Sequence, residues 1–325
     1  MSIAKYLCLF LPYLGWLLAT PALACDLYEG ESQPILKLPT RYLAGQPTEN
    51  HTSQLIKLIL KKAEARYGPC EIRLLNQDLP VRRLELYLER GQKLHVVELA
   101  MRHERNERFL PVRIPVKKGL IGVRISLIRK GEQARFNTIH TLEDLRTLTA
   151  GQGERWADTQ VLKVNGLPVA TSTTSDVESL INMLATKRFD YFPRGALQLT
   201  PEAIIYEKKP IEIDRRMLIR YPHMSLLYVN RNNPSLVARL EHGLFLAYED
   251  GSFDKLFYSR PKTVAAIDRL DIKNRKVFNL CNPLMPKWAP THIDRYWLLP
   301  WPKHLQNNDC RGSAAGAEKI NVSRP

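Results

Sequence analysis

Apolar and polar positions follow two rhythms along this chain, and each rhythm predicts an element. Ile35–Tyr42 reads as a strand. After His51–Gln54, where Thr52 and Ser53 are candidate N-caps, Leu55, Leu58, Ile59 and Ala63 recur at helical spacing as far as Tyr67, and Gly68-Pro69 stops the helix. Cys70–Leu75 predicts a strand, Val81–Glu89 a short helix ended by Gly91, and Leu94–Ala100 a third strand. The chain therefore opens as βαβαβ. Ile121, Val123, Ile125 and Leu127 alternate within Gly119–Lys130, a further strand.

The stretch Thr141–Arg194 repeats the alternation on a smaller scale. Leu142–Leu145 is a helical turn, Leu148–Gly151 a strand, Gly153–Val164 a helix, Leu167–Ala170 a strand, Ser175–Lys187 a helix and Phe189–Phe192 a strand. Such alternation implies right-handed crossovers and a parallel sheet, with ligands expected at the carboxyl ends of the strands. Met224–Asn230 is again a strand. Pro234 then sits in the first turn of a helix that keeps Leu236, Leu240, Leu244 and Ala247 on one face, and Asp254–Tyr258 starts another turn.

Several of these residues resemble the family-3 periplasmic solute-binding proteins of amino-acid ABC transporters. Glu143-Asp144-Leu145 stands before Gly151-Gln152-Gly153, as "DL" stands before "GVQxG" in that family. Leu180–Leu184 with Lys187-Arg188-Phe189-Asp190 matches its "L…ML…GR-DA" helix and strand, and the run from Asn233 to Phe253 matches its "NP-L…L…L…DG-F" ending. The resemblance covers about residues 50–260. It implies an α/β, two-lobed periplasmic-binding-protein-like (type 2) fold with two crossing strands between the lobes, near Ile121–Leu127 and Met224–Tyr228. Lobe one is then discontinuous, residues 26–123 and 227–305, and lobe two is residues 124–226. The segment from Pro261 onward lies outside the resemblance; its apolar residues, Trp288, Tyr296, Trp297, Leu298, Leu299 and Trp301, are expected to pack on lobe one. Residues 306–325 are expected to form a disordered tail.

Composition narrows the setting. The chain has 325 residues, 44% hydrophobic and 25% charged, an ordinary globular balance. Residues 1–24 differ: Lys5 precedes the apolar run Tyr6–Leu18, and Ala22-Leu23-Ala24 fits signal-peptide cleavage. An uncleaved anchor and a lipoprotein acylated at Cys25 are the alternatives. Export to the periplasm leaves Cys25, Cys70, Cys281 and Cys310 in an oxidising compartment. Four cysteines allow three pairings, of which Cys25–Cys70 with Cys281–Cys310 would tie down both ends of the chain. With 48 Lys+Arg against 33 Asp+Glu the formal charge is +15, spread along the chain without a dense run or a nucleic-acid motif. An anionic partner suits it better than DNA.

Candidate chemistry is sparse. No HExxH or CxxC indicates a metal, and no cofactor motif is present. No nucleophile stands with a base, so the expected role is not enzymatic. The resemblance places a ligand carboxylate clamp within Met101–Leu120, on Arg105, and anion contacts on the turn Gly151-Gln152-Gly153 leading to Arg155 and Trp156. The Asp that family members use for a ligand ammonium is replaced by Gly195, with Arg194 beside it. Arg105, Gln152, Arg155, Trp156 and Arg194 are thus the expected ligand-binding residues. No carboxylate stands in a family ligand position, so an anionic or amino-acid-like ligand is expected. The protein would be a monomer that delivers its solute to a membrane permease or signals through a sensor. The alternative is a module that keeps the fold but has lost amino-acid binding and works through protein contacts.

Overall fold

The computed structural model describes residues 25–26, 32–43, 46–48, 50–75, 77, 79–91, 93–174, 176–306 and 310. The expected leader, 1–24, and most of the expected tail, 311–325, lie outside the described residues.

The first half builds small sheets and the helices that pack with them. β1 (Ile35–Pro39) is followed by the hairpin of β2 (Arg41–Leu43) and β3 (Gln46–Thr48). α1 (His51–Tyr67) is capped by Asn50 and not by Thr52 or Ser53: the Asn50 side chain accepts from the Ser53 N–H, and the Ser53 hydroxyl accepts from the Asn50 N–H. Tyr67 ends the helix because Gly68 turns into φ 76°, a conformation that a Cβ would penalise. β4 (Glu71–Leu75) then pairs in parallel with β1. α2 (Val81–Arg90) leads to β5 (Val96–Ala100), α3 (His103–Arg108) and the short β6 (Leu110–Pro111). Cys25 and Cys70 are joined in a disulfide.

The second half contains a larger sheet. β7 (Val123–Arg129) is buried at all seven positions, as befits a strand covered on both faces. After it come α4 (Gln133–Asn137), α5 (Leu142–Arg146), β8 (Ala150–Gly153), α6 (Ala157–Val164), β9 (Val169–Ser172), α7 (Val177–Ala185), β10 (Tyr191–Gly195) and α8 (Leu199–Tyr206). β11 (Ile211–Ile213) and β12 (Met217–Arg220) complete the run. β9, β8 and β10 are mutually parallel, and β7 pairs antiparallel with β10, β11 and β12. Leu180, Ile181, Leu184 and Phe192 fill one face, and Phe136, Leu145, Val161 and Tyr191 the other.

β13 (Ser225–Val229) returns to the first half, between β5 and β6. α9 (Pro234–Glu249) then lies so close on α1 that a Cβ on Gly243 would come within 2.2 Å of the Ile59 carbonyl. The two crossings run back to back: Tyr221 N–H donates to Gly122 O at 3.1 Å. The outward crossing is not a continuous strand from Gly119. Gly119 has φ 68° and Leu120–Gly122 is a short 3-10 turn, so pairing begins at Val123.

The C-terminal segment overturns one expectation. α10 (Ser252–Tyr258) packs beside α9, α11 (Pro261–Leu270) reaches Thr200 of α8 through Arg269, and β14 (Lys276–Asn279) pairs in parallel with β12, in the second sheet. The open edge of β12 needs main-chain partners, and apolar content alone does not say which edge a segment will serve. Beyond β14 the chain becomes a strap. Asn165 and Cys281 exchange hydrogen bonds at 2.8 and 3.0 Å, and Asn282 donates to Pro222 O at 2.7 Å. Leu298 N–H donates to Lys118 O at 2.8 Å, while the Trp297 ring fills the space in which a Gly119 Cβ would stand. Arg220 donates to Leu299 O at 2.9 Å and to Pro300 O, under the Trp301 ring at 4.1 Å. Tyr296 packs on Tyr248, 4.7 Å between centroids. The gap left between strap and crossings, about 10 Å³, is at the lower limit for one water. The Cys281–Cys310 disulfide closes the strap, so Gln306 and Cys310, expected in a loose tail, are fixed.

Candidate functional site

The site expected in the second half is the turn between β8 and α6. Strand β8 runs two residues further than periodicity suggested, and α6 starts only at Ala157, with Trp156 at its N-cap. Trp156 N–H and the Thr159 hydroxyl both donate to Gly153 O, at 3.0 and 2.7 Å, which sets the turn. The two glycines admit the chain's own rings. A Cβ on Gly153 would stand 2.6 Å from the Trp156 indole, and one on Gly151 would stand 2.1 Å from the Phe189 ring.

Trp156 is half-buried and lies nearly parallel to Phe192, 6.1 Å between centroids. Over these rings lies Arg194, with its Cζ 5.0 Å from Trp156 and 4.9 Å from Phe192. Arg194 is 5% exposed, and Glu202 grips it with both oxygens, one of them 2.8 Å from Nε. Its charge is thus balanced inside the protein. Arg155, one residue before Trp156, is exposed and has no partner among the described residues. Gln152 is 1% exposed, and neither its Oε1 nor its Nε2 has a partner. At that exposure its amide does not face open solvent.

Arg105 lies in α3, remote from that turn in sequence. Its Nε donates to Glu85 at 2.9 Å and its Nη1 to Ala100 O at 2.6 Å. Arg108 shares the same carboxylate, 2.9 Å from Glu85, and reaches Glu89 at 3.0 Å, which holds the Glu89 carboxyl below its usual range. Two of the expected arginines are therefore already paired with glutamates.

At Gly195, where the resemblance would put an aspartate, a side chain would have to displace the ends of Gln198 and Arg124. A Cβ would meet Gln198 Oε1 at 2.7 Å and Arg124 Nη1 at 3.0 Å. Arg124 heads a polar group that periodicity did not reveal. It donates to Ile121 O at 2.7 Å and to Asp158, and Asp158 also accepts from the Tyr221 hydroxyl. Burial opposes ionisation of Asp158, but Arg124 outweighs it and brings the carboxyl to about 2. His223, beside Tyr221, is pushed to about 4 by burial and by the Arg124 charge. A second group surrounds Glu98 of β5. Thr52 donates to it, Ser225 donates at 2.5 Å, and Lys117 lies at 2.5 Å. Burial again opposes the charge, and Lys117 prevails, to about 2. The signals in the sequence were Arg124 and Glu98, each a charge set among mainly apolar strand residues.

Among the described residues no three His, Cys, Asp or Glu side chains are placed to hold a metal ion. A recess of about 250 Å³ is lined by residues that include Arg90, His95 and Asn230, at the end of β5 away from the crossings.

No family model and no curated protein matches the sequence. Solved structures do. A Bacillus subtilis protein described as a probable amino-acid ABC transporter extracellular-binding protein superposes with a TM-score of 0.50 at 14% identity, over 71% of this chain and 98% of its own. An ancestral arginine-binding protein bound to arginine aligns at 18% identity over 69% of this chain and 97% of its own, with a TM-score of 0.44. The chain has the two-lobed α/β fold of periplasmic solute-binding proteins, carried on a very different sequence.

Proposed function

We propose that this chain is an exported, non-catalytic solute-binding protein that holds a small amino-acid-like or anionic solute between its lobes for uptake through an ABC transporter. One observation supports this reading above the others. The turn at the carboxyl end of β8 presents an uncommitted guanidinium, Arg155, next to the half-buried indole of Trp156, and α/β sheets bind ligands at such strand ends. Arg105 and Arg194 are each balanced by a glutamate, Glu85 and Glu202, and offer no free charge to a solute. Arg155 is then the free positive charge of this turn, beside the exposed Glu154, and suits one carboxylate more than a dicarboxylate or a phosphate ester. Gln152 can serve a solute only if the turn shifts to open its amide. The protein would act as a monomer docking on a membrane permease or sensor; no helix of the described residues is long and apolar enough to cross a membrane.

The test is a thermal-shift screen with amino acids, monocarboxylates, dicarboxylates and short peptides. A true ligand at a hundredfold excess over its dissociation constant adds ~2.7 kcal/mol. Arg155→Ala should then weaken binding by roughly 1.5–3 kcal/mol, the range for a charged hydrogen bond. An unchanged affinity removes Arg155 from the site.

A second reading draws on a different observation. Both expected clamp arginines are internally paired, and Arg124 and Gln198 fill the space around Gly195. These features fit a module that has kept the fold, lost amino-acid binding, and works in sensing or protein contact. Such a module stabilises with no member of the screen.

A further inference from the structure

Three chain segments meet side by side at the end of the second sheet away from the crossings. Tyr191 of β10 is in register with Ile128 of β7, and Ile211 of β11 with Arg129. The turn before β10 is drawn onto β7 by Arg129, whose Nη1 donates to Leu184 O at 3.0 Å and to Phe189 O at 2.6 Å. The turn before β11 is held by Lys130 N–H donating to Pro210 O at 2.9 Å. Five cations share this rim: Lys130, Lys187, Arg188 and Lys208 are exposed and Lys209 is partly so. None of the five has a carboxylate partner among the described residues.

The acids nearby are mostly committed. Glu132 accepts from Arg129 at 2.6 and 2.9 Å, and Asp190 accepts from Arg135 at 2.7 Å and from Thr149 N–H at 2.8 Å. Glu212 accepts from Gly131 N–H at 2.8 Å. Glu207 alone stands exposed among the cations. Next to Lys208, on α8, Ile204 is 67% exposed.

We propose that this rim is a docking surface for anionic lipid headgroups. Four of its five cations are lysines, strongly hydrated point charges that are depleted from protein–protein interfaces. Clustered lysines are drawn to the negative potential of an anionic bilayer. No aromatic ring on the rim offers a stacking platform for nucleic-acid bases; Tyr206 is 6% exposed. A single protruding aliphatic side chain among lysines suits shallow contact with a headgroup layer. The surface lies away from the β8–α6 turn, so docking is independent of whether that turn holds a solute.

The experiment is co-sedimentation of the purified chain with vesicles of phosphatidylcholine alone, and of phosphatidylcholine containing phosphatidylglycerol. Binding only to the anionic vesicles, weakened by added salt, is expected. Each of Lys130→Glu, Lys208→Glu and Lys209→Glu should lower partitioning at least roughly fivefold, and the triple variant should lower it further, as should adding Ile204→Ser. The control reverses three exposed lysines elsewhere, Lys262→Glu, Lys287→Glu and Lys303→Glu, for the same change in net charge, and should bind nearly as wild type. Equal loss in both triple variants would show that only diffuse charge acts and would overturn the rim. So would equal binding to neutral vesicles, or indifference to anionic vesicles with retention by an acidic protein or polynucleotide.

Discussion

Replacing Glu202 with Gln tests whether Arg194 is a structural or a ligand-holding residue. The side chains of Arg194 and Glu202 are 6% and 14% exposed, and the carboxylate meets the guanidinium through two hydrogen bonds. The amide in place of the carboxylate would keep the size and remove the charge, leaving Arg194 buried and unpaired. Removing one partner of a buried pair typically destabilises by about 3–5 kcal/mol. The Trp156 and Phe192 faces at 5.0 and 4.9 Å still stabilise the cation by roughly 1–2 kcal/mol. The lower end, about 3 kcal/mol, is therefore expected. With a urea slope near 3 kcal/mol/M the unfolding midpoint falls by about 1 M. The double variant Arg194→Met with Glu202→Leu, which leaves no orphaned charge, should lie within about 1 kcal/mol of wild type. A loss under about 1 kcal/mol in Glu202→Gln would mean that water reaches Arg194 freely. The pair would then not be a fixed part of the wall, and Arg194 would be available to a ligand.

Other outcomes follow from the same structure. Glu98 is held at about 2 against an ordinary 4.5. Its depressed folded value contributes stability that is fully present above the unfolded value and is lost as pH falls toward 2. The difference amounts to about 3 kcal/mol; Glu98→Gln should flatten urea-measured stability between neutral pH and pH 2 by about that amount. Arg220, which burial lowers to about 10, donates to Asn279 and to two strap carbonyls without a carboxylate partner. Arg220→Ala should loosen the strap by about 2–4 kcal/mol, read as new proteolytic cleavage between residues 282 and 306; an unchanged cleavage pattern would refute its anchoring role. Gly153→Ala drives a Cβ into the Trp156 indole and should displace that ring, read as a change in near-ultraviolet circular dichroism and tryptophan fluorescence, and an unaltered signal would mean that the turn is slack.

The rhythm of apolar positions determined most elements of this protein, because the side-chain period is local and needs no distant partner. It located α1, α2, β5, α7 and α9 to within a few residues, and the alternation around Leu142–Phe192 implied that β8, β9 and β10 run parallel. Cysteine parity left three pairings open, and the one that ties down both ends, Cys25–Cys70 with Cys281–Cys310, is the one the structure contains. Tertiary structure alone decided the partners. A charge in a sequence carries its sign but not its distance to the charge that cancels it. Arg105 meets Glu85 across twenty positions, Arg194 meets Glu202 across eight, and Arg124 meets Asp158 across thirty-four. Thr52, placed like an N-cap, donates to Glu98 because the end of α1 lies against β5. The same applies to open strand edges and to the space above a glycine. β14 joined the second sheet because β12 offered it an edge, and Gly151 and Gly153 are filled by Phe189 and Trp156 because the folded chain brings those rings there.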